Sequence, residues 1–227
     1  QEILFQEDFN DCALPSGWNL SVTNGQDAGV TFAYPLNTKS DSLSIDGTCM
    51  VIFDDDILGN NMPDFRAELQ SPLIQVGDYQ TIYLRTDVHF RAYDTSSFTV
   101  YLQEEDGTRI ELRKFDADDQ TGTRFSQITP MSIDIRFVTE STSFSIVYVY
   151  DDAGMYAWWA GIDNIEVIGS GTGTTVVKEQ FNDCSIPAGW SINTLEGQDD
   201  WQFGEVDNNK ASATTMDGSC FAYFDDD

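Results

Sequence analysis

The sequence predicts an all-β protein: a β-sandwich, with one complete module followed by an incomplete second one. Three observations carry that expectation. Apolar and polar residues alternate with a two-residue period in run after run, while helical periodicity is nearly absent. Asp-, Gly-, Asn- and Ser-rich turns separate the runs at short intervals. The chain also begins twice. Phe9-Asn10-Asp11-Cys12-Ala13-Leu14-Pro15-Ser16-Gly17-Trp18 returns as Phe181-Asn182-Asp183-Cys184-Ser185-Ile186-Pro187-Ala188-Gly189-Trp190, an offset of 172 residues.

The elements follow in order. Residues 50–53 form a short apolar strand that runs into Asp54-Asp55-Asp56. Residues 81–90 alternate as a half-buried strand does, and so do 97–102, 131–137 and 143–150. Glu105-Asp106-Gly107-Thr108 predicts a hairpin turn. The last strand of the module covers 161–168, with Tyr156 and Trp158-Trp159 in the loop before it. The repeat continues downstream: Asp46-Gly47-Thr48-Cys49 returns as Asp217-Gly218-Ser219-Cys220, and Phe53-Asp54-Asp55-Asp56 as Phe224-Asp225-Asp226-Asp227. This sets a complete module over 1–168, a Gly/Ser/Thr joint over 169–175 and the N-terminal part of a homologous module over 176–227. A module of about 170 residues is large enough to own a core. Gln1 leads directly into a strand pattern, which reads as the product of earlier processing. No apolar stretch has the length needed to span a membrane.

Composition narrows the function classes. The chain has 39 acidic and 11 basic residues, a net charge of −28, and both modules share the acidity. Such a surface repels nucleic acid and anionic lipid, so neither is expected as a partner. It suits bound calcium or a salty habitat. The four cysteines fall into equivalent pairs, Cys12/Cys49 and Cys184/Cys220. Pairing within each repeat is the simplest arrangement and implies an oxidising, extracellular location; reduced core thiols are the alternative. No CxxC and no nearby histidine supports zinc or a redox dithiol.

The Asp-rich loops are the first candidate site. Adjacent carboxylates repel one another, and a hard cation collecting oxygen ligands would remove that cost. Candidate calcium ligands are Asp54 and Asp56, and Asp225 in the second copy. Further carboxylates recur in register: Glu7 with Glu179, Asp27 with Asp199, and Asp46 with Asp217. Asp8 becomes Gln180 and is less persuasive. No EF-hand loop is present, so a site must be assembled from distant segments. Solvated surface charge is the competing reading. Catalysis finds little support: His89 lies within a strand pattern, paired carboxylates arise by accident among so many acids, and no GxSxG, HExxH or phosphate loop occurs. Trp158, Trp159 and Tyr156 are candidates for stacking on a sugar or filling a partner's pocket, against core packing as the alternative. Trp18 and Trp190 follow equivalent Pro-x-Gly turns and read as structural plugs.

One ordered set of motifs resembles a known group. Glu7-x-Phe9 with Pro15-x-Gly17-Trp18, then Leu69-Gln70-Ser71-Pro72-Leu73, then Gly161-Ile162-Asp163-Asn164-Ile165-Glu166-Val167 is similar to the choice-of-anchor J and cleaved-adhesin domains of bacterial surface and secreted proteins, relatives in fold of MAM domains. The resemblance implies a jelly roll, often calcium-stabilised, on proteins exported by Bacteroidota-like bacteria. It places the family's acidic positions on Glu7 in the first strand and Asp163 in the last, where a Ca2+ would clamp the two ends of the module. It implies a non-catalytic adhesion or surface-filament module, with a surface glycan, a protein ligand or further copies of the module as partner. A homopolymer completed by strand addition is one form of this. The alternatives are a carbohydrate-binding accessory of a secreted enzyme, or a stalk repeat with no ligand.

Overall fold

Strand formation here follows the alternation, because each alternating run has one face that must leave water. The computed structural model describes residues 1–34, 36–37, 42–43, 45–55, 57–59, 64–91, 95–116, 128–155, 157–172, 184–188, 190–191, 201–204 and 221–224. The chain divides into two units, Gln1–Gly173 and Thr174–Asp227.

The strands of the first unit are β1 (Glu2–Glu7), β2 (Asn19–Val22), β3 (Val30–Ala33), β4 (Leu36–Asn37), β5 (Ser42–Leu43), β6 (Met50–Asp54), β7 (Arg66–Gln70), β8 (Ile74–Gln75), β9 (Tyr79–Arg91), β10 (Ser97–Gln103), β11 (Arg109–Phe115), β12 (Ile128–Asp134), β13 (Ser143–Asp151) and β14 (Trp159–Thr172). They form a β-sandwich. One sheet runs β12-β9-β14-β6-β3, with β1 also on β14; the other runs β11-β10-β13-β7-β2, with β8 also on β13. Phe53, Val88 and Ile162 of the first sheet meet Leu69, Phe98 and Tyr148 of the second in a core where all six are fully buried. The ring of Phe53 packs on Phe98 at 5.6 Å and on Tyr150 at 6.4 Å. In the second unit, β15 (Trp201–Gly204) pairs with β16 (Phe221–Phe224).

Several strand limits differ from the sequence reading; Trp159, expected in the loop before the last strand, opens β14 opposite Asp54 of β6. β14 continues through Gly169–Thr172, four residues of the expected joint, because they pair with Ile82, Thr81 and Tyr79 of β9. β12 stops at Asp134 instead of reaching residue 137. The Asp134 carboxylate accepts from the amide of Arg136 at 3.0 Å, which turns the chain into a 3-10 segment over Ile135–Phe137. The buried Arg136 guanidinium then donates to the carbonyls of Tyr79, Ser141 and Gly77, so that loop backbone is satisfied away from water. The hairpin after β10 forms where expected, with Gly107 at φ 88° and Asp106 accepting from Thr108.

The core side chains leave the opposite residues of the second sheet facing outward. Across β2, β7, β13, β10 and β11 one outward row reads Asn19, Gln70, Val147, Tyr101, Glu111. The next reads Ser21, Glu68, Val149, Thr99, Lys114. Gln103 lies opposite Arg109, and Asp151 opposite Arg66.

Cys12 and Cys49 form a disulfide with a sequence separation of 37. Cys184 is also disulfide-bonded, and Cys220 lies outside the described residues. A loop of that length predicts about 4 kcal/mol of stabilisation from Cys12–Cys49 through the unfolded chain. Replacing both cysteines with serine is expected to lower the urea midpoint correspondingly; an unchanged midpoint would show that the bond contributes nothing to the native fold.

Candidate functional site

The site begins with a property of β14: two strands share one of its edges. Trp159–Ile162 pair with Asp54–Val51 of β6, while Ile165–Gly169 pair with Glu7–Glu2 of β1. Asp163 and Asn164 lie where the two partners meet. There the register with β9 shifts between Asp163 and Glu166, and Asn164 takes φ 53°. Phe9 and Cys12, on the chain leaving β1, also have positive φ, 51° and 53°. Strained backbone gathered in one place marks a built feature. The Cys12–Cys49 bond joins the residue after β1's end region to the residue before β6, and so fastens the junction from outside the sheet.

Asp163 is 0% exposed. Its Oδ1 accepts from the Asn164 amide at 2.8 Å, and its Oδ2 has no hydrogen-bond partner. Asp87 stands directly opposite on β9 and accepts from Asn164 Nδ2 at 3.0 Å. Burial pushes the Asp163 carboxyl up to about 7, and the charges of Asp46, Asp8 and Asp87 add to the rise. Asp46 is held below its ordinary value, chiefly by the hydroxyl of Thr48. Glu7 accepts from the amide of Phe9 at 2.8 Å. Three expected ligands, Glu7, Asp46 and Asp163, thus come to the junction region. Sequence reasoning set Asp8 aside and missed Asp87 and Asn164; the signal for Asp87 was its place facing Asp163 in register, a like-charge cross-strand pair.

Asp54 and Asp27 lie at the other end of β6. There Asp54, Asp55 and Asp152 are occupied by amides. Asp54 accepts from Ile57 at 3.1 Å, Asp55 from Ala157 at 2.5 Å, and Asp152 from Phe65 and Gly154 at 2.9 and 2.8 Å. Backbone N–H groups thus relieve much of the repulsion that the sequence reading assigned to a cation. Burial, with Asp55, Asp152, Asp54 and Asp151 behind it, raises the Tyr150 phenol well above its ordinary value. Asp56, Glu179, Asp199, Asp217 and Asp225 lie outside the described residues. Among the described residues no three His, Cys, Asp or Glu side chains form a ready metal cage. The donor chemistry at the junction nevertheless fits a hard cation: a buried carboxylate oxygen without a partner, ringed by other carboxylates.

The aromatic candidates divide. Trp159 is 1% exposed and meets His89 edge-on at 4.4 Å, in a small cluster with Met50 and Ile52 on the outer face of the first sheet. Trp158 is half-buried, with the Arg91 guanidinium 3.5 Å above its ring. Tyr156 lies outside the described residues. Trp18 is buried against Phe9 and Phe5, at 5.4 and 6.1 Å. In the second unit Trp190 repeats the turn, its amide donating to Pro187 as Trp18's does to Pro15, and Cys184 repeats the positive φ of Cys12.

No protein-family model matches the chain, and no curated protein sequence matches it. Solved structures do. The K1 cleaved adhesin domain of Lys-gingipain from Porphyromonas gingivalis W83 superposes with a TM-score of 0.54 at 12% identity, covering 74% of this chain and 98% of that one. The K3 domain gives 0.53 at 14%, covering 73% and 97%, and the K2 domain 0.51 at 13%, covering 73% and 98%. At these identities the likeness establishes the β-sandwich fold and nothing finer.

The Asp163 environment sets a pH dependence for protein stripped of divalent cations. The folded chain keeps the proton up to about pH 7, whereas the unfolded chain releases it near the ordinary 3.8. Stability therefore falls as pH rises through that interval and levels off above it, by on the order of a few kcal/mol. Asp163→Asn removes the titrating group. Urea unfolding near both ends of the interval is expected to show a smaller loss in the variant than in the parent; equal losses would contradict the assignment.

Proposed function

We propose that the chain is a non-catalytic adhesion module of an exported protein, acting at or beyond the cell surface and stiffened by Ca2+ at the β1/β6/β14 junction. The observation that carries the calcium reading is the orphaned Oδ2 of a fully buried Asp163. Asp163, with Glu7, Asp8 and Asp46 as neighbouring donors, would hold the ion. The ion would supply the positive charge that the junction lacks, binding the folded chain and not the unfolded one. Fixing the ends of β1 and β6 against β14 is then a structural role, consistent with an exported module that must persist outside a cell.

The adhesive reading is supported by the sandwich shared with cleaved adhesin domains and by the disulfide, which suits an oxidising compartment. No helix among the described residues is long and apolar enough to cross a membrane. The repeated turn at Trp190 and the repeated conformation at Cys184 favour a tandem of related modules, as in a choice-of-anchor J or cleaved-adhesin array on a Bacteroidota-type surface protein. A surface glycan or protein ligand is the partner such an array would meet, and further copies of the module would extend it.

Two measurements test the two parts separately. Millimolar Ca2+ is expected to raise the melting temperature of chelator-treated protein by several degrees, and Asp163→Asn to remove most of that rise. A melting curve indifferent to exhaustive chelation would sink the calcium part alone. Beads coated with the full chain are expected to bind surfaces of mixed extracellular-matrix glycoproteins above albumin-coated beads; equal retention would reject adhesion while leaving the ion site untouched.

A further inference from the structure

We propose that the outer face of the β11-β10-β13-β7-β2 sheet binds a neutral oligosaccharide. It rests on the reading of the chain as a binding module, and names the surface and the ligand chemistry. Charge is the first argument. The chain as a whole has 39 acids against 11 bases. On this face Arg66, Arg109 and Lys114 stand among Glu68, Asp151 and Glu111, so cations and anions balance. A polyanion would be repelled by the rest of the molecule, and a polycation would find stronger fields elsewhere on it. A neutral ligand meets no net field here.

Preorganisation is the second argument. Arg66 donates to Glu68 at 2.8 Å and to Asp151 at 2.9 Å. Arg109 reaches the other oxygen of Glu68 at 2.8 Å and the amide oxygen of Gln103 at 2.8 Å. The guanidinium of Arg109, backed by Arg66, holds the Glu68 carboxyl below its ordinary value, so the lattice stays charged. The planes of these forks and of the amide are thus fixed before a ligand arrives, which limits the ordering cost of binding.

Chemical match is the third. A pyranose presents hydroxyls that both donate and accept, together with an apolar C–H face. Fixed carboxylate, guanidinium and amide groups supply the complementary hydrogen bonds. Tyr101, half-buried in the same row as Gln70, supplies a ring for the C–H face, with the Arg109 guanidinium 6.0 Å from its centroid. Val147 and Val149 lie between these groups at 0% and 4% exposure, a dry floor that strengthens the polar contacts above it.

Affinity electrophoresis of the full chain tests this, using gels containing arabinoxylan, galactomannan, mixed-linkage β-glucan or, as the acidic control, polygalacturonate. Retardation is expected in at least one neutral gel and not in polygalacturonate. Tyr101→Ala, which leaves the ion pairs in place, is expected to weaken retention by roughly tenfold. A second variant combining Asn19→Ala and Gln70→Ala removes the exposed amide of Asn19 and the half-buried one of Gln70 without touching the core and is also expected to weaken it, with melting curves confirming both variants as folded. No retardation in any neutral gel, retardation by polygalacturonate alone, or retention that survives both variants would overturn the proposal. Bead adhesion to protein surfaces with no glycan retardation would overturn this site and leave the adhesion reading standing.

Discussion

The first sheet is held together by strand β14, and β14 is interrupted by a fully buried carboxylate at its most constrained point. Asp163 lies where β6 ends and β1 begins along one edge, with Asp87 facing it from the other. Removing a carboxylate from water is costly unless something neutralises it. The protein offers one amide to one oxygen and leaves the other without a partner. Every element that meets at the junction therefore depends on how that charge is handled, by a proton or by a cation. The disulfide, the positive-φ residues and the bulge all stand around the same point.

The remaining acidity divides according to what backbone lies nearby. At the far end of β6, amides of turns reach Asp54, Asp55 and Asp152, and the carboxylates serve as fasteners for loops. At the junction the Phe9 and Thr48 amides go to Glu7 and Asp46, and among the described residues only the Asn164 amide reaches Asp163. Glu7, Asp46 and Asp87 are each met by a donor, while Asp163 Oδ2 is left without one. On the outer face of the second sheet the acids meet arginines instead, and the local charge cancels.

Strands β9, β10 and β13 were legible because alternation is local: each needs only its own residues to show which face is apolar. The Cys12–Cys49 bond was legible through the repeat. The extension of β14 to Thr172 was not, since Gly169–Thr172 look like a flexible joint until β9 is seen to run alongside and Tyr79 to sit against Gly169. The end of β12 at Asp134 was hidden for a similar reason, a capping carboxylate that composition cannot distinguish from a strand residue. Within the candidate site, Glu7, Asp46 and Asp163 could be named in advance, but Asp87 depended on cross-strand register, a long-range quantity. The polar face around Tyr101 left no motif at all, because its residues come from five strands.

The ends of the first unit lie side by side: Glu2, near the start of β1, pairs with Gly169, near the end of β14. Tension applied between these ends peels the antiparallel pair open one hydrogen bond at a time, the compliant loading direction for a sheet. Peeling of β1 ends at the junction, where its pairing with β14 stops at Glu7 and Ile165. Beyond it the load passes through the covalent link from Cys12 to Cys49 and into β6, at the heart of the sheet. The cross-link therefore takes the chain between Cys12 and Cys49 out of the load path, and β2 to β5 stay slack while β1 peels.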